Sequence, residues 1–321
     1  MTVNTEMPVR VTHITKVADA VKRFRFQRVD GQPMPVFSGG AHVVVSMRDN
    51  GILRRNPYSL MSSPANRSAF EISVLRVEKS RGGSVFLHDK LKVGDQLVVS
   101  QPVNLFPYDH RGKKHIFFAG GIGITPFMAM MDQMSLENQA FELHYAVRTR
   151  SHGAYWKDLV DRYGAHRVKI YCDSEKLFIP TADLIANQPL GTHLYVCGPK
   201  GMIDGVMKQA RLDGWPSQNL HSEEFLAPPP GEPFIIKLAK SNKTLEVHSH
   251  QSILEAVEAA GIDAPYMCRG GACGQCETNV VACSGSIEHH DIFLEPYDKA
   301  AGKKIMICVS RINGADITLD L

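Results

Sequence analysis

The sequence predicts a multidomain chain in three parts: an antiparallel β-barrel, an α/β domain built on a parallel sheet, and a small C-terminal β-grasp-like unit. Three observations predict it. Short apolar or alternating runs, parted by turn residues, fill residues 1–108. Apolar strands alternate with helical stretches over 109–226. Beyond a proline-rich stretch, four cysteines fall in a pattern suited to one wrapping loop plus a distant segment. A length of 321 residues is comfortable for two or three domains.

In the first part the strand-like runs are Val9–Ile14, Val21–Arg28, His42–Met47, Phe70–Val77 and Gln96–Ser100. Asp30-Gly31, Ser38-Gly39-Gly40, Asp49-Asn50-Gly51 and Val93-Gly94-Asp95 separate them. Ser84–Leu91 is the single helix candidate. Short strands at this spacing predict a small antiparallel barrel. Within it, Arg54-Arg55-Asn56-Pro57-Tyr58-Ser59-Leu60 puts cations, an aromatic and a hydroxyl close together on a strand. An arginine can hold a phosphate bidentately and a tyrosine can pack on a flat ring, although a strand-edge arginine beside a core tyrosine reads the same way. Ser80-Arg81-Gly82-Gly83-Ser84 is a second candidate phosphate cradle.

The second part reads His115–Ala119 then helix Pro126–Met134, Phe141–Ala146 then Ala154–Arg162, Val168–Tyr171, and Leu194–Cys197 then Gly201–Leu212. That alternation predicts a parallel sheet with crossover helices. The glycine turn Gly120-Gly121-Ile122-Gly123-Ile124 leads from strand to helix, with Thr125 as the expected cap and Pro126 at the first helical position. A second strand-to-helix turn, Cys197-Gly198-Pro199, should face the same crevice, since ligands sit at the carboxyl ends of strands in open α/β sheets. Cys197 alone reads equally as a small buried hydrophobe. Met128, Met130, Met131 and Met134 read as core.

Residues 227–233, Ala-Pro-Pro-Pro-Gly-Glu-Pro, read as a semi-rigid linker. In 234–321, Phe234–Leu238 and Lys243–Val247 predict a hairpin. Ser252–Ala260 predicts a helix with Ser252 and Glu255 as a capping box and Gly261 as its stop. Ile305–Val309 and Asp316–Leu321 close the unit. Cys268, Cys273 and Cys276 form C-x4-C-x2-C, and Cys308 follows at a distance. This is the plant-type [2Fe–2S] ferredoxin spacing: a glycine-filled loop supplies three thiolates and the far side supplies the fourth. Zinc ligation or a redox dithiol at Cys273 and Cys276 are the alternatives. His289-His290-Asp291 reads as a surface loop.

Net charge is +3, with no basic block, so nucleic acid is not an expected partner. No apolar run reaches a membrane span, and the first residues show no apolar signal core, so a cytoplasmic location is expected. Seven cysteines, four of them in one cluster, do not make a disulfide framework of Cys172, Cys197 and Cys283. No heptad supports an oligomer, and a monomer is the default.

In this order, the barrel motif, the R-G-G-S loop, G-G-I-G-I-T-P, the C-G-P turn and the ferredoxin cysteines closely resemble the phthalate dioxygenase reductase family. These are flavin reductase components of Rieske oxygenases within the ferredoxin–NADP reductase superfamily. The resemblance spans essentially the whole chain. It implies an FMN-binding barrel over 1–108, an NAD-binding domain over 109–226 and a [2Fe–2S] ferredoxin domain over 234–321. Arg55 would meet the flavin phosphate, with Gly82, Gly83 and Ser84 around it; Tyr58 and Ser59 would border the isoalloxazine. The family motif has one residue between arginine and tyrosine, whereas here Asn56 and Pro57 intervene. Gly121, Gly123 and Thr125 would line the pyrophosphate site, and Cys197 would sit near the nicotinamide. Phe225 would lie beside the flavin, and Asp173 would meet a ribose 2′-hydroxyl, favouring NADH. Arg148 and Arg150 lie where they would touch a 2′-phosphate, which leaves NADPH open. The implied activity is hydride transfer from NADH to flavin N5, with Ser59 polarising that atom. Single electrons then pass through the cluster to a terminal oxygenase, in a small transient contact. The partner's substrate is open: phthalate, carnitine and a vanillate-like ether would all suit. A redox sensor or a free-standing flavin reductase are the alternative readings.

Overall fold

The computed structural model describes residues 6–49, 51–226 and 230–321. Asn50 of the expected turn and Ala227, Pro228 and Pro229 of the expected linker lie outside the described residues.

The first unit holds β1 (Met7–Ala18), β2 (Val21–Arg28), β3 (Ala41–Asp49), β4 (Ile52–Ser59), β5 (Phe70–Leu75), α1 (Gly83–Asp89), β6 (Gln96–Val99) and β7 (Val103–Asn104). They form one seven-stranded antiparallel sheet in the order β4-β3-β6-β1-β2-β5, with β7 on β3. Period-two alternation drives the inward faces: Met7, Val9 and Val11 of β1 and Phe24 and Phe26 of β2 are buried. The sheet curls until both edge strands, β4 and β5, wall the same cavity.

The second unit holds β8 (Lys114–Gly120), α2 (Thr125–Leu136), β9 (Phe141–Val147), α3 (Trp156–Tyr163), β10 (Val168–Cys172), α4 (Thr181–Ala186), β11 (Thr192–Cys197), α5 (Lys200–Leu212) and β12 (Leu220–Glu223). Its sheet is wholly parallel, β10-β9-β8-β11-β12. The order reverses direction about β8, which puts a switch point at the end of that strand. Met130, Met131 and Met134 are fully buried, as core residues.

The third unit holds β13 (Phe234–Leu238), β14 (Lys243–Val247), α6 (Ile253–Ala259), β15 (Glu277–Cys283), β16 (Ser286–Glu288), α7 (Pro296–Ala301), β17 (Lys304–Met306), β18 (Arg311–Asn313) and β19 (Asp316–Leu319). The mixed sheet β14-β13-β19-β15-β17 packs on α6, and β16 pairs with β18. The capping box of α6 is complete: Glu255 N donates to Ser252 Oγ at 3.1 Å and Ser252 N donates to Glu255 Oε2 at 2.8 Å.

The packing is unequal. One apolar core runs without interruption from Ala18, Val21 and Met61 of the first unit into Phe117, Phe127 and Tyr195 of the second. The third unit keeps its own core, around Ile236, Val257, Ile305 and Leu319.

Two readings need correction. Thr125 is not a side-chain cap: a 3-10 turn, Gly121–Ile124, runs straight into α2, and the Thr125 hydroxyl donates back to Ile122 O at 3.0 Å. Pro126 is therefore the second helical residue. Nor is 289–291 a surface loop. Asp291 is buried, accepting from Leu294 N at 2.8 Å and from Ser310 Oγ at 3.4 Å, with Lys299 Nζ 3.5 Å away. The carboxylate ties the segment under the cysteine loop to Ser310, just before β18.

Candidate flavin and iron–sulfur site

All three units meet at one cavity of about 350 Å³, within the ordinary range for a small-molecule site. Its walls come from β4, β5, the 80–84 loop, the turn before α2, the end of β12, and the loop carrying Cys268.

Strand alternation sorts the β4 residues. Arg54, Asn56 and Tyr58 share one face, and Arg55, Pro57 and Ser59 the other. Asn56 Nδ2 donates to the Tyr58 hydroxyl at 3.3 Å, and a Cβ on Gly83 would come within 2.3 Å of that nitrogen. Arg54 Nε donates to Arg81 O and lies against Gly82. Gly82 has φ +95°, a left-handed conformation that glycine adopts without Cβ strain. Asn56 faces the loop, while Arg55, on the opposite face of the strand, lines the same cavity and its guanidinium bonds Glu258 Oε2 on α6 at 3.0 Å. The loop is braced from within: Ser80 Oγ donates to Val77 O at 2.7 Å, and Ser84 Oγ accepts from Val77 N at 3.1 Å. Tyr58, Ser59, Gly83 and Ser84 all line the cavity. Burial pushes the Tyr58 phenol up to about 12, so it stays neutral.

Both glycine turns of the second unit converge, as expected. A Cβ on Gly123 would lie 2.2 Å from Cys197 O, so only glycine lets the turn after β8 pack on the end of β11. Thr125 reaches the cavity wall. Cys197 is fully buried beneath it, and burial raises its thiol well above the usual range. Its neighbour across the β11–β12 register is Glu223, which sequence reasoning missed. Glu223 lines the cavity, its Oε2 is buried without a partner, and burial raises its carboxyl to about 8. His42 was missed too: its Nε2 is buried without a partner on the same wall. Phe225, also on the wall, is 43% exposed.

Farther along the strand ends, Asp173 opens a 3-10 turn after β10 and is exposed. Arg150 makes a bidentate pair with Glu175, both contacts 2.7 Å, and lies 4.9 Å from the centre of the Trp156 ring.

The four cysteines come together. None is in a disulfide. Cys268 neighbours Cys273 and Cys308, and Cys276 neighbours Cys308, closely enough that the thiols shift one another's ionisation, Cys268 down and Cys308 up. Gly270 N donates to Cys268 Sγ at 3.3 Å. The donor set fits a [2Fe–2S] core, in which each iron takes two thiolates. Cys268 and Cys308 also reach the cavity wall. The other groups there fit a flavin: an aromatic, neutral hydroxyls, and orphaned polar atoms at His42 and Glu223 that a ligand's polar edge would satisfy.

Comparison with known proteins agrees with this architecture. Family models match at 8–108 (oxidoreductase FAD-binding domain), 97–220 (dimethylamine monooxygenase subunit DmmA-like, N-terminal domain) and 236–313 (2Fe-2S iron-sulfur cluster binding domain). The chain is 43% identical to the carnitine monooxygenase reductase subunit of Acinetobacter baumannii, over 98% of each chain. It is 42% identical to the heme-dependent oxidative N-demethylase beta subunit of Ectopseudomonas mendocina, over 99% of this chain and 100% of that one. The solved structure of phthalate dioxygenase reductase superposes with a TM-score of 0.90 at 34% identity, covering 99% of this chain and 98% of that one. With a flavin-binding unit, a parallel-sheet nucleotide unit and a [2Fe–2S] unit in this order, the chain belongs to the phthalate dioxygenase reductase family of oxygenase reductases.

Proposed function

We propose that this reductase draws electrons from NADH, holds FMN, and hands single electrons to a terminal oxygenase. One observation carries the reading: a single cavity is bordered by Tyr58 and Ser59, by the nucleotide-side residues Thr125 and Glu223, and by Cys268 and Cys308. Hydride source, flavin and cluster thus have neighbouring places. Bound flavin would supply conversion of a two-electron hydride into single electrons, and the cluster a one-electron station.

The chain's own residues position and exclude. Tyr58 packs against the ring and Ser59 offers its hydroxyl to N5. Glu223, mostly protonated at neutral pH, offers its carboxyl to the ligand from the crevice wall. Cys197 lies under the nicotinamide site, Phe225 covers the flavin, and Gly121, Gly123 and Thr125 receive the pyrophosphate. Arg54, Asn56 and the 82–84 loop receive the flavin phosphate, with Arg55 at the margin. The preference for NADH rests on Asp173 and on Glu175, which already occupies the guanidinium that a 2′-phosphate would need. FMN rests on the R-G-G-S loop and on α6 lying directly beyond it, where an adenosine would extend. The functional segments are 1–108, 109–226, linker 227–233, and 234–321. The protein works as a cytoplasmic monomer with a transient partner contact. Among the described residues no helix is long and apolar enough to cross a membrane.

The partner in this reading is a Rieske oxygenase. A heme-dependent oxygenase is a second reading, favoured by the heme-dependent N-demethylase relative and accompanied by the match of 97–220 to a dimethylamine monooxygenase subunit model. An N-methylated amine is the substrate class common to the second reading and to a carnitine-type system. Anaerobic NADH titration tests the core proposal. Flavin absorbance should bleach before a reduced-cluster paramagnetic resonance signal grows, and denatured protein should release FMN. Release of FAD alone, or bleaching only with NADPH, overturns the corresponding assignment.

A further inference from the structure

Among the described residues the third unit shares no apolar core with the other two, yet its cysteine loop must stay against the cavity. Besides the cavity contacts, charged pairs cross the junction. Arg81, in the middle of the 80–84 loop, bonds Glu255 of α6 through Nη1 at 3.2 Å and Nη2 at 3.4 Å. Glu255 Oε1 also accepts the backbone N–H of Arg55 at 3.2 Å, while its other oxygen completes the helix cap. One turn on, Glu258 Oε2 accepts from Arg55 Nη1 at 3.0 Å and from Arg269 Nη1 at 3.0 Å, and Arg269 Nη2 donates to its other oxygen. Arg269 follows the cluster ligand Cys268, has φ +51°, and lies with its guanidinium 3.8 Å from the centre of the Tyr266 ring.

These five side chains are not surface pairs. Relative exposures are 5% for Glu255, 14% for Arg81, 16% for Glu258, 19% for Arg55 and 4% for Arg269. Buried ion pairs contribute little net stability against apolar packing, but breaking one strands its partner. Their attested use is to fix one arrangement among several. Glu258 is the pivot, since it bonds both Arg55 of β4 on the flavin side and Arg269, the residue next to Cys268.

We propose that Glu258, seconded by Glu255, is a positioning residue that clamps the Cys268 loop onto β4 and so sets the approach of cluster to flavin. This rests on the relay described under Proposed function, but the clamp itself has a readout that does not depend on electron transfer, hydrogen exchange. Carboxylate-to-amide substitution keeps the side chain's shape, and Gln at 255 still completes a capping box.

The test uses the full-length wild type, E258Q and E255Q. Hydrogen exchange on the cofactor-loaded protein should quicken at least fivefold in 52–59 and 253–259 of E258Q, with 114–120 unchanged. In loaded protein, rapid mixing with NADH should show flavin bleaching at the wild-type rate. The following appearance of the reduced-cluster signal should slow at least fivefold, with an unaltered spectrum. E255Q should move both readouts in the same direction. Wild-type exchange in both variants overturns the clamp. Faster exchange with an unchanged rate of cluster reduction overturns the positioning role. If wild-type protein shows no flavin-to-cluster transfer at all, the functional reading falls, and the exchange result alone decides whether the clamp exists.

Discussion

Glu223 is the side chain whose chemistry the surroundings alter most usefully. Its carboxyl sits at the carboxyl end of β12 with one oxygen buried and unpartnered, and burial raises it to about 8. A raised acid is stabilising to the fold while protonated. That contribution is complete below the ordinary carboxylate value and is lost as pH rises through about 8. Glu223→Gln, which cannot ionise, should therefore lose less thermal stability than wild type between pH 6 and 9. The same substitution should flatten the alkaline limb of NADH-dependent flavin reduction while leaving its acid limb in place. Melting curves and stopped-flow bleaching across that range check both, and parallel profiles for the two proteins would remove Glu223 from the site. The residue was legible in principle: a carboxylate two positions before Phe225 at the end of a short strand. Its strand was not, because Leu220-His221-Ser222-Glu223 is brief and polar and is fixed only by pairing with β11. The contact of Asn56 with Tyr58 was legible as well, since a two-residue period from Tyr58 lands on it.

At the scale of elements, parallel register gathers groups that sequence spacing keeps apart. His115, His193 and His221 each stand second in β8, β11 and β12. Register sets His193 beside His115 and His221 beside Tyr195, at the end of the sheet away from the cavity. The His193 and His221 rings stack with nitrogens 3.1 Å apart, and both His115 nitrogens are buried without partners. Burial lowers His115 to about 4 and His221 to about 4, and it lowers His193 as well. A base depressed by folding stabilises above its unfolded value near 6.5, and that stability is lost as pH falls toward 4. His115, fully buried, should account for on the order of 3 kcal/mol of this acid sensitivity. His115→Phe should shift the acid unfolding midpoint downward in a pH titration followed by circular dichroism; an unmoved midpoint contradicts the assignment. Elsewhere, β2, β13 and β14 match the sequence reading residue for residue, because alternation and turn residues define them locally. The expected strand at 305–309 stops at Met306 instead. Val309 N and Ser310 N both turn back to Met306 O, at 3.2 and 3.0 Å, and this turn delivers Cys308 to the other three cysteines. A ligand demand overrides the β-propensity of Ile-Met-Ile-Cys-Val.

For the whole molecule, the partition of cores makes cofactor loss a local event. The first two units are welded by one apolar core, and the third joins them through buried charge and cavity contacts. The cluster's four thiolates bridge only within the third unit, from the 268–276 loop to Cys308, so a cluster would close a loop of that unit alone. Iron removal, or Cys273→Ser, should therefore raise hydrogen exchange in β15, β17 and the Cys268 loop. Exchange in β8, β9 and β11 should stay as it was. The relay predicts a matching split in function: flavin bleaching by NADH survives Cys273→Ser, whereas electron delivery to the oxygenase is lost. Exchange that rises across all three units would mean that the junction transmits folding stability as well as electrons. Retained turnover with the oxygenase would route electrons directly from the flavin, making the third unit a docking module rather than a carrier.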